Sequence, residues 1–228
     1  MAAHPAIAPL NRLALLLAAT LLVALGATGC GAGGEDATPA SLKPLLLPVA
    51  QLKPLQLERA FAWDNSTDFT TQGVFLPEAT PPSEAIAAMD DAGFEAAAGQ
   101  EMRPKGGSPD VHVDVARFDS ADGARQALSY VHRQDLQHPC FASCSVSPRP
   151  LTVKGVPGSE GVHQAPNGIK PPPGSGPFER YVLEFTIGPD LFIVDANGGP
   201  GDTPPAQFDA GARTVYRYAA KQLGTQSP

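Results

Sequence analysis

Between Asp110 and Phe118 apolar and polar residues alternate. Val111, Val113 and Val115 interleave with Asp110, His112 and Asp114. A period of two predicts a strand with one core face and one polar face. Phe178 to Ile187 alternates in the same way, with Tyr181, Leu183, Phe185 and Ile187 against Arg180, Glu184 and Thr186. Gly188-Pro189-Asp190 then predicts a turn, and Leu191 to Val194 the returning strand of a hairpin. Phe94 to Met102 reads as a further strand, and Leu151-Thr152-Val153 and Gly161-Val162-His163 as short ones. Three stretches carry helical periodicity instead. Thr80 to Ala92 has Thr80 as cap, Pro81 in the first turn, Ile86 and Met89 on its apolar side and Gly93 as stop. Ser120 to Gln137 places Ala124, Leu128 and Val131 on one stripe, with Asp119 or Ser120 as cap. The last helix is capped by Thr203, starts at Pro204 and buries Phe208, Ala212, Val215, Ala219 and Leu223. This order predicts an α+β fold, a mostly antiparallel sheet packed by about three helices in a single domain. Hairpin connections leave no room for the long crossovers of a parallel sheet.

The N-terminal pattern is of another kind. Arg12 precedes an almost wholly apolar run, Leu13 to Leu25, and small residues lead to Ala27-Thr28-Gly29-Cys30. That order is the order of a secretory signal. The run falls short of the ~20 apolar residues that span a bilayer. The small residues ending in Cys30 resemble the lipobox of bacterial lipoproteins. The resemblance implies a signal peptide over 1–29, cleavage before Cys30, and acylation of its thiol with palmitate-type chains. Each buried methylene of such a chain contributes about 0.8 kcal/mol, so two or three chains hold a protein at a membrane. An ordinary signal peptide and a retained membrane helix are the alternatives. Residues 30–57 then read as a tether. Gly31 to Ala40 suits a flexible spacer. Leu42-Lys43-Pro44-Leu45 and Leu52-Lys53-Pro54-Leu55 form a short repeat whose prolines argue against a helix. This apolar segment either lies along the domain or forms an edge strand. The domain itself is expected over 58–228.

Charge and cysteine content narrow the context. The chain carries a net charge of −7, with 16 basic residues against 23 acidic, and loss of Arg12 deepens the deficit. That disfavours nucleic acid and polybasic contact with anionic lipid. Abundant Ala, Gly and Pro point to a GC-rich bacterial genome. With Cys30 assigned to lipid, Cys140 and Cys144 remain, and outside the cytoplasm a pair reads as a disulfide. So short a loop contributes only about 2 kcal/mol. Its use is to fix a turn after the second helix. A redox pair, free thiols and a metal site are the other readings.

Two stretches carry a wider resemblance: the strand-into-helix run Val113 to Ala124 and the hairpin-helix from Tyr181 to Tyr218. In them the chain resembles a class of uncharacterised actinobacterial lipoproteins. Its layout over 58–224 is loosely similar to the sensor domains of mycobacterial receptor kinases and to PsbP-like domains. The likeness implies a binding or sensing module and carries no active-site residue across.

Candidate chemistry is sparse. Asp110, His112 and Asp114 line one strand face about 6.6 Å apart and are weak candidates for a divalent metal. The plainer reading is a solvated sheet face. His132 and Asp135 share a helical face at i, i+3, with His138 beyond it; a helix C-terminus favours a cationic histidine, which makes a structural role the plainer reading and a metal site the other. Ser143 and Ser145 lack a nucleophile elbow. Trp63, with Phe61 and Phe69, reads as core. No catalytic residue and no cofactor is assigned, and whether the chain is an enzyme stays open, with no motif in favour. The chain therefore reads as a lipid-anchored protein of the cell membrane's extracytoplasmic face. It would bind an unknown small ligand or an envelope protein, and no nucleic acid. An envelope enzyme with an unrecognised site and a structural subunit of a membrane complex are the alternatives.

Overall fold

The computed structural model describes residues 37–72, 82–137, 146–168 and 176–225. The chain divides into two compact units, Met1–Glu35 and Asp36–Pro228. All described residues lie in the second. Cys30 and the cysteines at 140 and 144 fall outside the described residues, as do His138, Ser143 and Ser145.

A short helix α1 (Pro39–Leu42) opens the unit. Strand β1 (Leu55–Trp63) follows, then helices α2 (Ser66–Gln72) and α3 (Pro82–Asp91). Strands β2 (Phe94–Pro104) and β3 (Asp110–Phe118) form a hairpin, and helix α4 (Ala121–Gln137) leaves it. Four strands come next: β4 (Val146–Pro150), β5 (Glu160–Pro166), β6 (Glu179–Ile187) and β7 (Asp190–Gly198). Helix α5 (Pro205–Gln222) closes the unit. Among the described residues the seven strands form one sheet in the order β1-β2-β3-β7-β6-β5-β4, and every neighbouring pair is antiparallel. The predicted α+β class with an antiparallel sheet is the observed one. Helix α4 carries the chain from central β3 to the far edge at β4, and the remaining strands return one by one until β7 pairs with β3.

Both faces of the sheet are covered. On one, α5 buries Phe208, Ala212, Val215 and Ala219 against Val113, Val115, Leu183, Phe185, Phe192 and Val194. On the other, α4 buries Ala124, Leu128 and Val131, and Met89 of α3 and Phe69 of α2 join Trp63, Phe118 and Leu191. Trp63 is core, stacked on Phe61 and edge-on to Phe69. The ends of α3 and α4 are set by local chemistry. Gly93, at φ 76°, stops α3 in the left-handed conformation that glycine adopts at no steric cost. Ser120 Oγ accepts the Gly123 N–H at the start of α4, 3.0 Å away.

Four expectations need correction. The tether does not run to Leu57. Leu42 and Leu47 are fully buried and Leu45 and Leu46 nearly so, all in the core under α5. The segment lies along the domain, and its leucines bury too much apolar surface to stay in solvent. A short helix precedes the repeat's prolines, at the end of what reads as the flexible spacer. Pro39 sits in the first turn of α1, where its missing N–H costs nothing, and Thr38 caps it in a reciprocal pair with Ser41. Finally, Leu151–Val153 is not a strand, since the edge strand is β4 just before it, and α5 begins at Pro205 with Pro204 as the capping position.

Leu47→Ala is expected to cost about 2–5 kcal/mol, as a buried leucine in a packed core does. Urea unfolding of the full chain measures it, and a loss within ~0.5 kcal/mol would return Leu47 to a solvated tether.

Candidate functional site

Strand β3 divides two unlike environments. Val111, Val113 and Val115 point to the α5 side, and Asp110, His112 and Asp114 point to the α4 side. On the α4 side the polar residues of β3, β6 and β7 fall in register: Asp114 lies level with Ile193 and Glu184, and His112 level with Asp195 and Val182. The expected solvated face is wrong. His112, Asp114, Glu184 and Asp195 are all buried, Asp114 at 1 % exposure. Burial of both sheet faces leaves these side chains no route to water.

Arg180 organises this buried layer. Its Nε donates to Asp195 Oδ2 at 2.6 Å and its Nη1 to Asp135 Oδ1 at 2.7 Å. One guanidinium thus ties β6 to β7 and to α4. Gln164 of β5 adds a bond to the Asp135 carbonyl at 3.3 Å. A buried charge survives only when paired and hydrogen-bonded, and Arg180 satisfies two carboxylates at once. The pairing holds the Arg180 guanidinium protonated against the cost of its burial.

Glu184 and Asp114 are left without such a partner. Neither oxygen of Asp114 accepts a hydrogen bond among the described residues, and Glu184 has only His132 and Asp135 beside it. Burial pushes the Glu184 carboxyl up to about 8, with Asp135 nearby adding to the rise and His132 opposing it. His132 Nδ1 is 3.5 Å from Glu184, and Glu160 lies 3.7 Å from its other nitrogen. Contact with Glu184 raises the His132 imidazole. Burial, reinforced by the charge of Asp195, raises Asp114 well above the usual carboxylate range. Both acids therefore hold their protons to higher pH than an exposed carboxylate does. Asp114 is accommodated by the absence of a side chain opposite it on β2, because a Cβ on Gly99 would stand 1.7 Å from Asp114 Oδ1.

The metal candidates do not converge. Asp110 pairs with Arg103 at 2.5 Å near the surface, and Asp114 lies deep under α4. No group of three potential ligands among the described residues has metal-binding geometry. His132 and Asp135, predicted on one helical face, do come together, but against β6 and not in solvent. Arg180 and Glu184 were missed, because alternation alone leaves the environment of the polar face open, and Asp195 because the predicted returning strand stopped at Val194.

The opposite side of β3 is apolar and open. A cavity of about 250 Å³ lies between the sheet, α5 and the Gln51–Leu55 segment. Leu52, Val111, Val113, Val194, Phe208 and Val215 form its walls, with Thr203, Gln207 and Thr214 as polar points. Its size sits just under the ~300–1,000 Å³ typical of small-molecule sites. A second, polar cavity of about 300 Å³ adjoins it, lined by Gln51, Thr214, Arg217, Tyr218 and Lys221. The segment read as a tether thus supplies one wall of both.

The fold has a known counterpart. The chain is similar to the extracellular domain of PknH from Mycobacterium tuberculosis, with TM-score 0.52 and 16% identity over 84% of this chain and 99% of that one. The likeness is one of fold, and it agrees with the layout expected from the two sequence stretches. No protein-family model and no curated protein sequence matches this chain. Among the described residues no helix is long and apolar enough to cross a membrane.

The buried acids set a pH dependence. Glu184, Asp114, Asp135 and His132 all have raised folded-state values. Each contributes stability that is full below its unfolded value and lost as pH rises through the folded one. For Glu184 that window runs from 4.5 to about 8. The urea midpoint is expected to fall from pH 5 to pH 8.5, and Glu184→Gln to flatten the fall and exceed wild type at pH 8.5. An unchanged slope in the variant would place the titration elsewhere.

Proposed function

We propose that this protein is a non-enzymatic module held at the extracytoplasmic face of the cell membrane by acylated Cys30, where it binds a small ligand. The observation that carries the reading is the cavity under α5. It is apolar, bordered by a few polar groups and open at one side, the usual form of a small-molecule site. The signal-like N-terminus and the lipobox resemblance support the location, and the fold likeness to a receptor kinase's extracellular domain supports a sensing role.

An envelope enzyme would draw on Asp114, Glu184 and Asp135, whose raised values suit acid–base chemistry. Neither cavity reaches them, and their burial between sheet and helix gives a substrate no approach. A structural subunit would present a flat apolar face. Among the described residues Leu57 is the exposed large apolar side chain, and one residue makes no such face.

Native mass spectrometry of the protein extracted gently from its membrane is expected to show a non-covalent small-molecule adduct. A bare mass, or a mass that includes a second protein, would contradict ligand binding. Growth with alkyne-tagged palmitate is expected to label the wild-type chain and not Cys30→Ser. Equal labelling of the two would remove Cys30 as the anchor.

A further inference from the structure

We propose that the apolar cavity and its basic rim form one site for an anionic single-chain amphiphile, a molecule with one alkyl tail and one carboxylate or phosphate head. The proposal rests on the ligand-binding reading above and names the ligand's chemistry.

The tail's place is the apolar cavity. Its wall on the helix side includes Gly211, within α5. Glycine inside a helix lowers stability relative to alanine, so its presence calls for a local reason. A Cβ at Gly211 would meet nothing within 4 Å. No neighbour therefore requires glycine by crowding; the missing side chain leaves open space at the cavity. At about 250 Å³ that space takes one alkyl chain and not the paired chains of a phospholipid.

The head's place is the adjoining polar cavity. The two share Gln51 and Thr214, so a ligand can run from one into the other. Arg213, Arg217 and Lys221 recur every four residues along α5 and so lie one above another on the helix. Arg213 has Asp209 at 3.9 Å. Arg217 and Lys221 have no ion-pair partner among the described residues, and both line the polar cavity beside the Tyr218 hydroxyl. Lys53, exposed, lines the apolar cavity from the opposite side. In a chain of net charge −7, an unneutralised basic pair at the mouth of an apolar cavity selects an anion. The guanidinium of Arg217 matches a carboxylate or phosphate, and Lys221 adds a second charge.

Photo-crosslinking in native membranes tests this on the full chain. The probe is a twelve-carbon fatty acid with a diazirine in its tail and a terminal alkyne, and peptide mapping reads the labelled residues. Labelling is expected at 51–55, 109–113 and 205–215. Dodecanoate and dodecyl phosphate are expected to compete, the stronger of them naming the head, and dodecanol to compete about tenfold more weakly. Arg217→Glu with Lys221→Glu is expected to cut labelling about tenfold, and Gly211→Trp to abolish it without loss of thermal stability. If dodecanol competes equally and charge reversal changes nothing while Gly211→Trp still blocks, the anionic head is refuted and the ligand cavity stands. If labelling falls elsewhere or ignores Gly211→Trp, both readings fail.

Discussion

The pairing of Arg180 with Asp135 and Asp195 is the interaction on which the architecture turns. The central strands β2, β3, β6 and β7 are covered on both faces, so nearly every residue in them is buried against something. Apolar side chains meet that demand by packing. Polar ones meet it only if their partners are buried with them. Arg180 joins two strands and the crossing helix through two charge-assisted contacts, 2.6 Å and 2.7 Å long. Remove it and two carboxylates stay buried beside Glu184 and Asp114 with no cation between them. Loss of one partner from such a group costs far more than the intact group contributes. We therefore read the layer as a device that fixes how α4 sits on the sheet. Burial raises Glu184 and Asp114, and that accounts for their shifts without catalysis.

The same division explains why a ligand cavity lies where it does. The α4 side is filled by an apolar cluster and the polar layer around Arg180. The α5 side is packed by apolar residues and by the leucines of the segment before β1. Leu42 and Leu47 fill the core, while Leu52 and Leu55 only border the space beside it. With a glycine at 211 on the opposing helix, the packing closes incompletely. An apolar cavity next to uncompensated positive charge is the result.

Much of the fold was legible in the sequence. Alternation found β3 and β6, the turn after β6 found β7, β2 and part of β5 were read as strands, and caps and stops found the three long helices close to their observed ends. The antiparallel sheet followed from the order of elements. What alternation cannot report is the environment of its polar half. Asp114, Arg180 and Glu184 look like a solvated face until a second helix layer is placed over them. The signal was present in outline: two long amphipathic helices, one between β3 and β4 and one at the end, each needing a sheet face of its own. The Leu42–Leu47 segment was misread for a related reason. Its prolines speak about backbone geometry and not about burial. The cavity was not legible, since its walls come from three separated stretches of chain.

The central claim is that the two sides of β3 serve different ends, the α5 side for ligand and the α4 side for structure. Hydrogen–deuterium exchange of the full chain with and without dodecanoate tests it most directly. Slower exchange on binding is predicted for 51–55, 109–113 and 205–215, with 132–135 and 180–184 unchanged. Protection centred on 132–135 and 180–184 would contradict the account and make the buried acids the functional site.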